Sequence, residues 1–254
     1  MILVFDIGNS DITMGLYNHK AWLHVWRIPS VTDRPELYYG IKIRDYFYEA
    51  GISVADVEKV VLSSVVPNLT ERVINVAKTL FEKSPIVLGP EVYPKLPVKV
   101  LNPYEIGSDL VANAVAAHHI FQTNCVIVDF GTALTFTTVS AAGEIIGVAI
   151  APGLKTAIRA LSQNTAKLFD VPLEMPESVL GKNTVHAIQA GILIGYKGLV
   201  QAITGQIRQE LNDPQLVTVA TGGLSAVIKT DEGLFTRIEP NLTLDGLRLV
   251  ASCY

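Results

Sequence analysis

The chain has 254 residues, 49% hydrophobic and 17% charged, with a formal net charge of −4 and an isoelectric point near 5.7. This composition excludes a disordered chain and gives no global pull toward nucleic acid. Two cysteines, Cys125 and Cys253, form no metal-spaced cluster and suit a reducing, cytoplasmic setting. The apolar opening, Met1–Phe5, is too short for a signal peptide, and no apolar run approaches the roughly 18–20 residues that span a bilayer.

In chain order, a strand from Ile2 bends near Asn9–Asp11 and returns through Gly15–Tyr17. A turn at Asn18-His19-Lys20 leads to a strand over Trp22–Ile28. Asp33 to Ala50 reads as a helix stopped by Gly51. Val60–Val66 is a β-branched run typical of a strand buried on both faces. Pro67 ends it, and Asn68 with Glu71 three residues on resembles an N-cap for a helix through Phe81. Ile86–Leu88 is a further strand, so the first half is α/β. A Pro-rich span, 85–103, connects to Gly107-Ser108-Asp109, which opens an apolar-periodic helix through Phe121. The second half restarts with a hairpin around Asp129. Helices follow near Thr156–Leu161 and over Ala187–Leu211, then a strand at Leu216–Ala220 and a terminal element at Leu244–Val250. Gly191, Gly195 and Gly198 fall at helical spacings and are expected to allow close packing against another helix.

Two stretches repeat one pattern of apolar strand, aspartate, glycine and small polar residues. They are Asp6-Ile7-Gly8-Asn9-Ser10 and Asp129-Phe130-Gly131-Thr132-Ala133, separated by almost half the chain. A glycine two residues after an aspartate at a strand end lets backbone N–H groups approach an anion, while Asn, Ser and Thr add neutral donors. The aspartate would repel phosphate directly, so it is expected to hold a cation that bridges to phosphate oxygens. A motif duplicated at half-length predicts two related lobes facing across a cleft, with boundaries at 1–105 and 106–254. Thr221-Gly222-Gly223 follows a strand and is either a flat surface for a nucleoside or a plain turn. On the residues alone Asp109 reads first as an acidic residue that stabilises a helix N-terminus, with general base as the alternative. No GxxxxGK[ST], no helix-opening GxGxxG, no HExxH and no GxSxG occurs.

Together with "APGL" at 151–154, "GKNT" at 181–184 and "PNLTLDGL" at 240–247, these motifs resemble type III pantothenate kinase from Met1 to the last ten residues. The resemblance implies the superfamily of acetate and sugar kinases, actin and heat-shock chaperones. Its fold is two duplicated actin-like (ribonuclease H-like) α/β lobes with a nucleotide cleft between them. It implies transfer of the γ-phosphoryl group of ATP to pantothenate, the first step toward coenzyme A. The ATP phosphates would be cradled by Asp6, Ile7, Gly8, Asn9, Ser10, Asp11, Ile12 and Thr13, with Thr132 contacting the nucleotide. Asp129 would hold a monovalent cation, K⁺ or NH₄⁺, beside the Mg²⁺ that accompanies ATP. Asp109 would be the base, and Val100, Gly107, Ser108, Asp109, Leu110 and Thr184 would line the pantothenate pocket. The implied assembly is a homodimer, with no nucleic acid or membrane partner. Leu110 stands where the family usually has Arg, and Val100 where many members have Tyr. The alternatives are a kinase for another small alcohol, a phosphohydrolase of the same fold, or a non-catalytic regulatory relative.

Overall fold

Residues 1–225 and 233–254 are described by the computed structural model. They fall into two compact units, Met1–His119 with Leu242–Tyr254, and Ile120–Asn241. The division lies inside the helix that starts at Ser108, later than residue 105, and the last helix joins the first unit.

In the first unit, strands β1 (Ile2–Ile7), β2 (Asp11–Tyr17), β3 (Trp22–Pro29), β4 (Lys59–Ser64) and β5 (Ile86–Val87) form one sheet in the order β3-β2-β1-β4-β5. β1 pairs antiparallel with β2 and parallel with β4. As the apolar runs predicted, β1 and β4 sit in the sheet interior, with Leu3–Phe5 and Val61–Leu62 fully enclosed. The edge strand β3 instead alternates between half-buried and exposed, apart from the buried Ile28. Helices α1 (Glu36–Glu49) and α2 (Pro67–Phe81) supply Tyr39, Ile43, Phe47, Leu69, Val73 and Phe81 to the core. α1 ends as expected before Gly51, whose φ of +66° suits glycine. α2 starts differently from the sequence expectation. Pro67 takes its first position, Val66 is the N-cap with no side-chain cap, and the Thr70 hydroxyl donates to Val66 O at 3.1 Å.

Helix α3 (Ser108–Phe121) is buried all round from Leu110 to Ala117, including the wholly enclosed Asn113. An amide in that position needs a partner. It is met by the Thr243 hydroxyl, 2.8 Å from Asn113 Oδ1. Thr243 belongs to α7 (Leu242–Ala251), which approaches so closely that a Cβ on Gly246 would overlap the Ala112 carbonyl. Asp245 accepts a hydrogen bond from Trp22 Nε1 at 3.0 Å. The closing "LTLDGL" motif is therefore a clamp on α3 and the first hairpin.

The second unit repeats the first sheet. β6 (Cys125–Phe130), β7 (Ala133–Val139), β8 (Ile145–Pro152), β9 (Val217–Thr221) and β10 (Arg237–Ile238) are ordered β8-β7-β6-β9-β10, with the same parallel and antiparallel senses. Helices α4 (Leu154–Asn164), α5 (Thr184–Gln189) and α6 (Gly195–Glu210) accompany it. α5 and α6 are joined by one π-helical stretch, Ala190–Ile194, so the predicted long helix is continuous but locally widened. Gly191, Gly195 and Gly198 differ from expectation, since a Cβ on any of them would meet nothing within 4 Å. Gly191 instead lies in the wall of a cavity that Leu161 of α4 also lines.

Candidate active site

The two Asp-X-Gly motifs occupy equivalent places. In the first unit Asp6 pairs with Thr13 across the hairpin and with Ser63 on the parallel side. In the second unit Asp129 pairs with Thr135 and Thr221 in the same way. The first turn closes through Gly8 N donating to Asp11 O at 3.0 Å, the second through Gly131 N donating to Ala133 O at 3.1 Å. Asn9, Ser10, Gly131 and Thr132 are exposed at the turn tips.

Each turn is pinned by the exit of its third strand. Ser30, just after β3, donates its hydroxyl to Gly8 O at 2.6 Å and its amide to Ser10 O at 2.9 Å. After β8, Gly153 N and the Thr156 hydroxyl both donate to Thr132 O, at 3.0 and 2.7 Å. A Cβ at Gly153 would lie 2.5 Å from that oxygen, which accounts for the glycine of "APGL". Both turns are thus held through their carbonyl oxygens, and a turn so fixed needs little reorganisation to receive a ligand.

Gly222 solves a related problem. Its φ is +89°, and a Cβ there would overlap the Asp129 carboxylate and stand 2.7 Å from Phe130 N. The Thr221-Gly222-Gly223 signal thus reflects β9 passing directly beside Asp129. Thr135, opposite Asp129 and so on the same face of the sheet, carries a buried hydroxyl with no hydrogen-bond partner among the described residues.

In the first unit, the cradle and Asp109 are connected through β4. The Ser108 hydroxyl lies 2.8 Å from Ser63 Oγ, receives Ser64 N at 3.1 Å and can donate to Ser64 O at 3.2 Å. Val65 N donates to Ile7 O at 3.0 Å, immediately before Gly8. The start of α3 is thereby fixed to the strand that runs beside Asp6 and Ile7. Neither Ser63 nor Ser64 was singled out by sequence, because a serine in a β-branched run carries no motif.

Asp109 folds back so that Leu110 N donates to its Oδ1 at 2.9 Å. A Cβ on Gly107 would collide with that same oxygen. Burial holds the Asp109 carboxyl above its ordinary value near 3.8, only partly countered by the amides of Leu110 and Asp109 itself. Tyr93, which sequence reasoning missed, is 5% exposed, and its hydroxyl is pushed up to about 12 by burial and then by the Asp109 charge. Leu110 is buried beside the carboxylate, and Val100 is partly buried on the irregular run before α3. Gly107→Ala is expected to displace the Asp109 carboxylate, which a crystal structure of the variant would show.

Thr184 is the first residue of α5 and lines a cavity of about 530 Å³ in the second unit. Lys182 and Asn183 share that cavity, whose walls include Leu161, Ile188 and Ile192. Among the described residues, no group of three or more His, Cys, Asp or Glu side chains could hold a metal ion. No helix among them is long and apolar enough to cross a membrane.

Comparison with known proteins gives this geometry a context. MreB 5 of Spiroplasma citri, solved with AMPPNP bound, matches with a TM-score of 0.57 over 99% of this chain and 96% of that one, at 11% identity. That likeness supports the actin-like α/β fold. A type III pantothenate kinase from Anaeromyxobacter sp. (strain K) is 41% identical over 250 residues, covering 98% of each chain. Another from Geotalea uraniireducens (strain Rf4) is 39% identical over 98% of this chain and 97% of its own. The type III pantothenate kinase family profile matches residues 2–206. The chain belongs to the type III pantothenate kinase family.

Proposed function

We propose that the chain transfers the γ-phosphoryl group of ATP to the hydroxyl of pantothenate, giving 4'-phosphopantothenate, the first step of coenzyme A synthesis. Full-length identity of about 40% to enzymes of that name is the observation that carries it.

In this reading the residues from Asp6 to Thr13 take the ATP phosphates through the N–H groups of the pinned turn, and Thr132 contacts the nucleotide. Asp109 orients the acceptor hydroxyl and accepts its proton. Because phosphoryl transfer passes through a loose transition state, holding donor and acceptor in line and offsetting charge account for most of the rate. The backbone of Gly107–Leu110 places the base. Ser108 contributes by fixing α3 to β4, and Leu110 and Val100 form apolar wall around the acceptor; Thr184 adds a hydroxyl.

Asp129 is the residue proposed to hold a monovalent cation, K⁺ or NH₄⁺. Its carboxylate and the orphan Thr135 hydroxyl form a hard oxygen donor set, which suits such an ion. The cation, with the Mg²⁺ carried by ATP, would neutralise phosphate charge. A homodimer is proposed as the assembly. The exposed Gly191, Gly195 and Gly198 support it, because each helical glycine costs about 0.5–1 kcal/mol relative to alanine and an added Cβ at each would meet nothing within 4 Å among the described residues. The free thiols of Cys125 and Cys253 agree with a cytoplasmic location.

The test is ADP formation by the purified protein in potassium buffer with and without pantothenate. Pantothenate-dependent turnover is expected. ATP hydrolysis indifferent to pantothenate would favour a phosphohydrolase, and inactivity with ATP bound would favour the regulatory relative.

A further inference from the structure

The carbonyl oxygens of a turn carry partial negative charge, and a turn that receives phosphate needs donors to occupy them. In the first hairpin one residue does this at two places. Ser30 donates its hydroxyl to Gly8 O at 2.6 Å and its amide to Ser10 O at 2.9 Å. A trans peptide group is planar, so its C=O and N–H point in opposite directions. Turning the Gly8 and Ser10 carbonyls toward Ser30 therefore turns the N–H groups of Asn9 and Asp11 away from it. The direction of two N–H groups in the turn is set by the residue that follows β3.

Ser30 is in turn held from the core. Tyr39 of α1 is wholly enclosed, and its hydroxyl accepts the Val31 N–H at 3.1 Å while donating to Val31 O at 2.8 Å. Both backbone groups of the residue next to Ser30 are thereby tied to one buried side chain. Arg34 N also donates to Val31 O, at 3.1 Å. Arg72 of α2 donates through Nη1 to Thr32 O at 2.6 Å and to Arg34 O at 2.5 Å. The segment between β3 and α1 is thus a strap fastened to both helices that supply this core. The Tyr39 ring sits in the same core as Ile7 and Ile12, which flank the turn. Close packing leaves such a ring little room to move.

We propose that Tyr39 is a positioning residue for the phosphate turn, acting from inside the core through Val31 and Ser30. The role rests on the residues from Asp6 to Thr13 receiving the ATP phosphates. It makes ATP affinity depend on a buried hydroxyl of α1.

The test measures the Kd for Mg²⁺–ATP by titration calorimetry and the KM for each substrate by steady-state kinetics. The proteins are wild type, Tyr39→Phe, Ser30→Ala, Ser30→Thr and the double variant Tyr39→Phe, Ser30→Ala. Tyr39→Phe keeps the buried ring and removes only the hydroxyl. It is expected to raise the Kd for ATP about 3- to 10-fold, the worth of one hydrogen bond, with the KM for pantothenate within about two-fold. Ser30→Ala should lose at least as much, and Ser30→Thr, which keeps a hydroxyl, should recover most of it. Residues acting in series share one effect, so the losses in the double variant should be clearly less than additive. An unchanged Kd in Tyr39→Phe, an equal rise in the KM for both substrates, or fully additive losses would overturn the assignment. Wild-type protein that binds no ATP would overturn the phosphate reading of the turn and this role with it. Wild-type protein that binds ATP but leaves pantothenate unmodified would count against the kinase reading alone, and the calorimetric comparison would still decide the role of Tyr39.

Discussion

Asp109→Asn is expected to lower pantothenate-dependent turnover about 10²- to 10⁴-fold, the usual contribution of a positioned general base, without unfolding the protein. The amide keeps the oxygen that accepts the Leu110 N–H, so α3 loses no bond at its start. Stability should move in the opposite direction to activity. Burial raises the folded-state value of the Asp109 carboxyl above its ordinary 3.8, which means that folding disfavours the charged form. The unfolded chain ionises first as pH rises, so the wild-type penalty grows from about pH 3.8 upward and is complete above the folded-state value. Thermal melts should then show Asp109→Asn as the more stable protein at neutral pH, with the difference vanishing in acid. The same shift places the acid limb of the kcat/KM profile above the range of an ordinary aspartate. A variant that lost activity and melted lower at neutral pH would mean that Asp109 serves chiefly to stabilise the start of its helix.

The second large effect is expected at Gly222. Alanine there must adopt a φ of +89°, which costs an L-residue about 1–3 kcal/mol, and its Cβ must also displace the Asp129 carboxylate or the Phe130 backbone. Denaturant unfolding of Gly222→Ala should register at least that loss. Potassium activation should also fall, because the side chain proposed to hold the cation is the one pushed aside. Wild-type stability together with wild-type potassium response would show that β9 does not constrain Asp129.

These expectations depend on details that the sequence discloses unevenly. The duplicated Asp6 and Asp129 hairpins were legible because each couples an apolar strand to a turn-forming glycine. The two sheets, with one topology used twice, follow from that repeat. Strand and helix ends were read to within a few residues, and the start of α2 was misread because Pro67 occupies a position that Asn68 could equally have capped. What escaped was tertiary. The function of Gly222 and Gly153 is to leave room for another segment's carboxylate or carbonyl, and no local pattern announces that. The same holds for Ser63 and Ser64 gripping Ser108, and for Thr243 satisfying the buried Asn113. The glycines at 191, 195 and 198 show the reverse error. Their spacing suggested close packing against another helix, but an added Cβ at each would meet nothing within 4 Å.

The most direct measurement is the identity of the product. Purified protein, ATP, Mg²⁺ and pantothenate in potassium buffer should yield ADP and an equal amount of a phosphate monoester on the primary hydroxyl of pantothenate. Phosphorus NMR and mass spectrometry would identify that ester. ADP accompanied by inorganic phosphate alone, or a folded, ATP-bound protein that leaves pantothenate unmodified, would contradict the account.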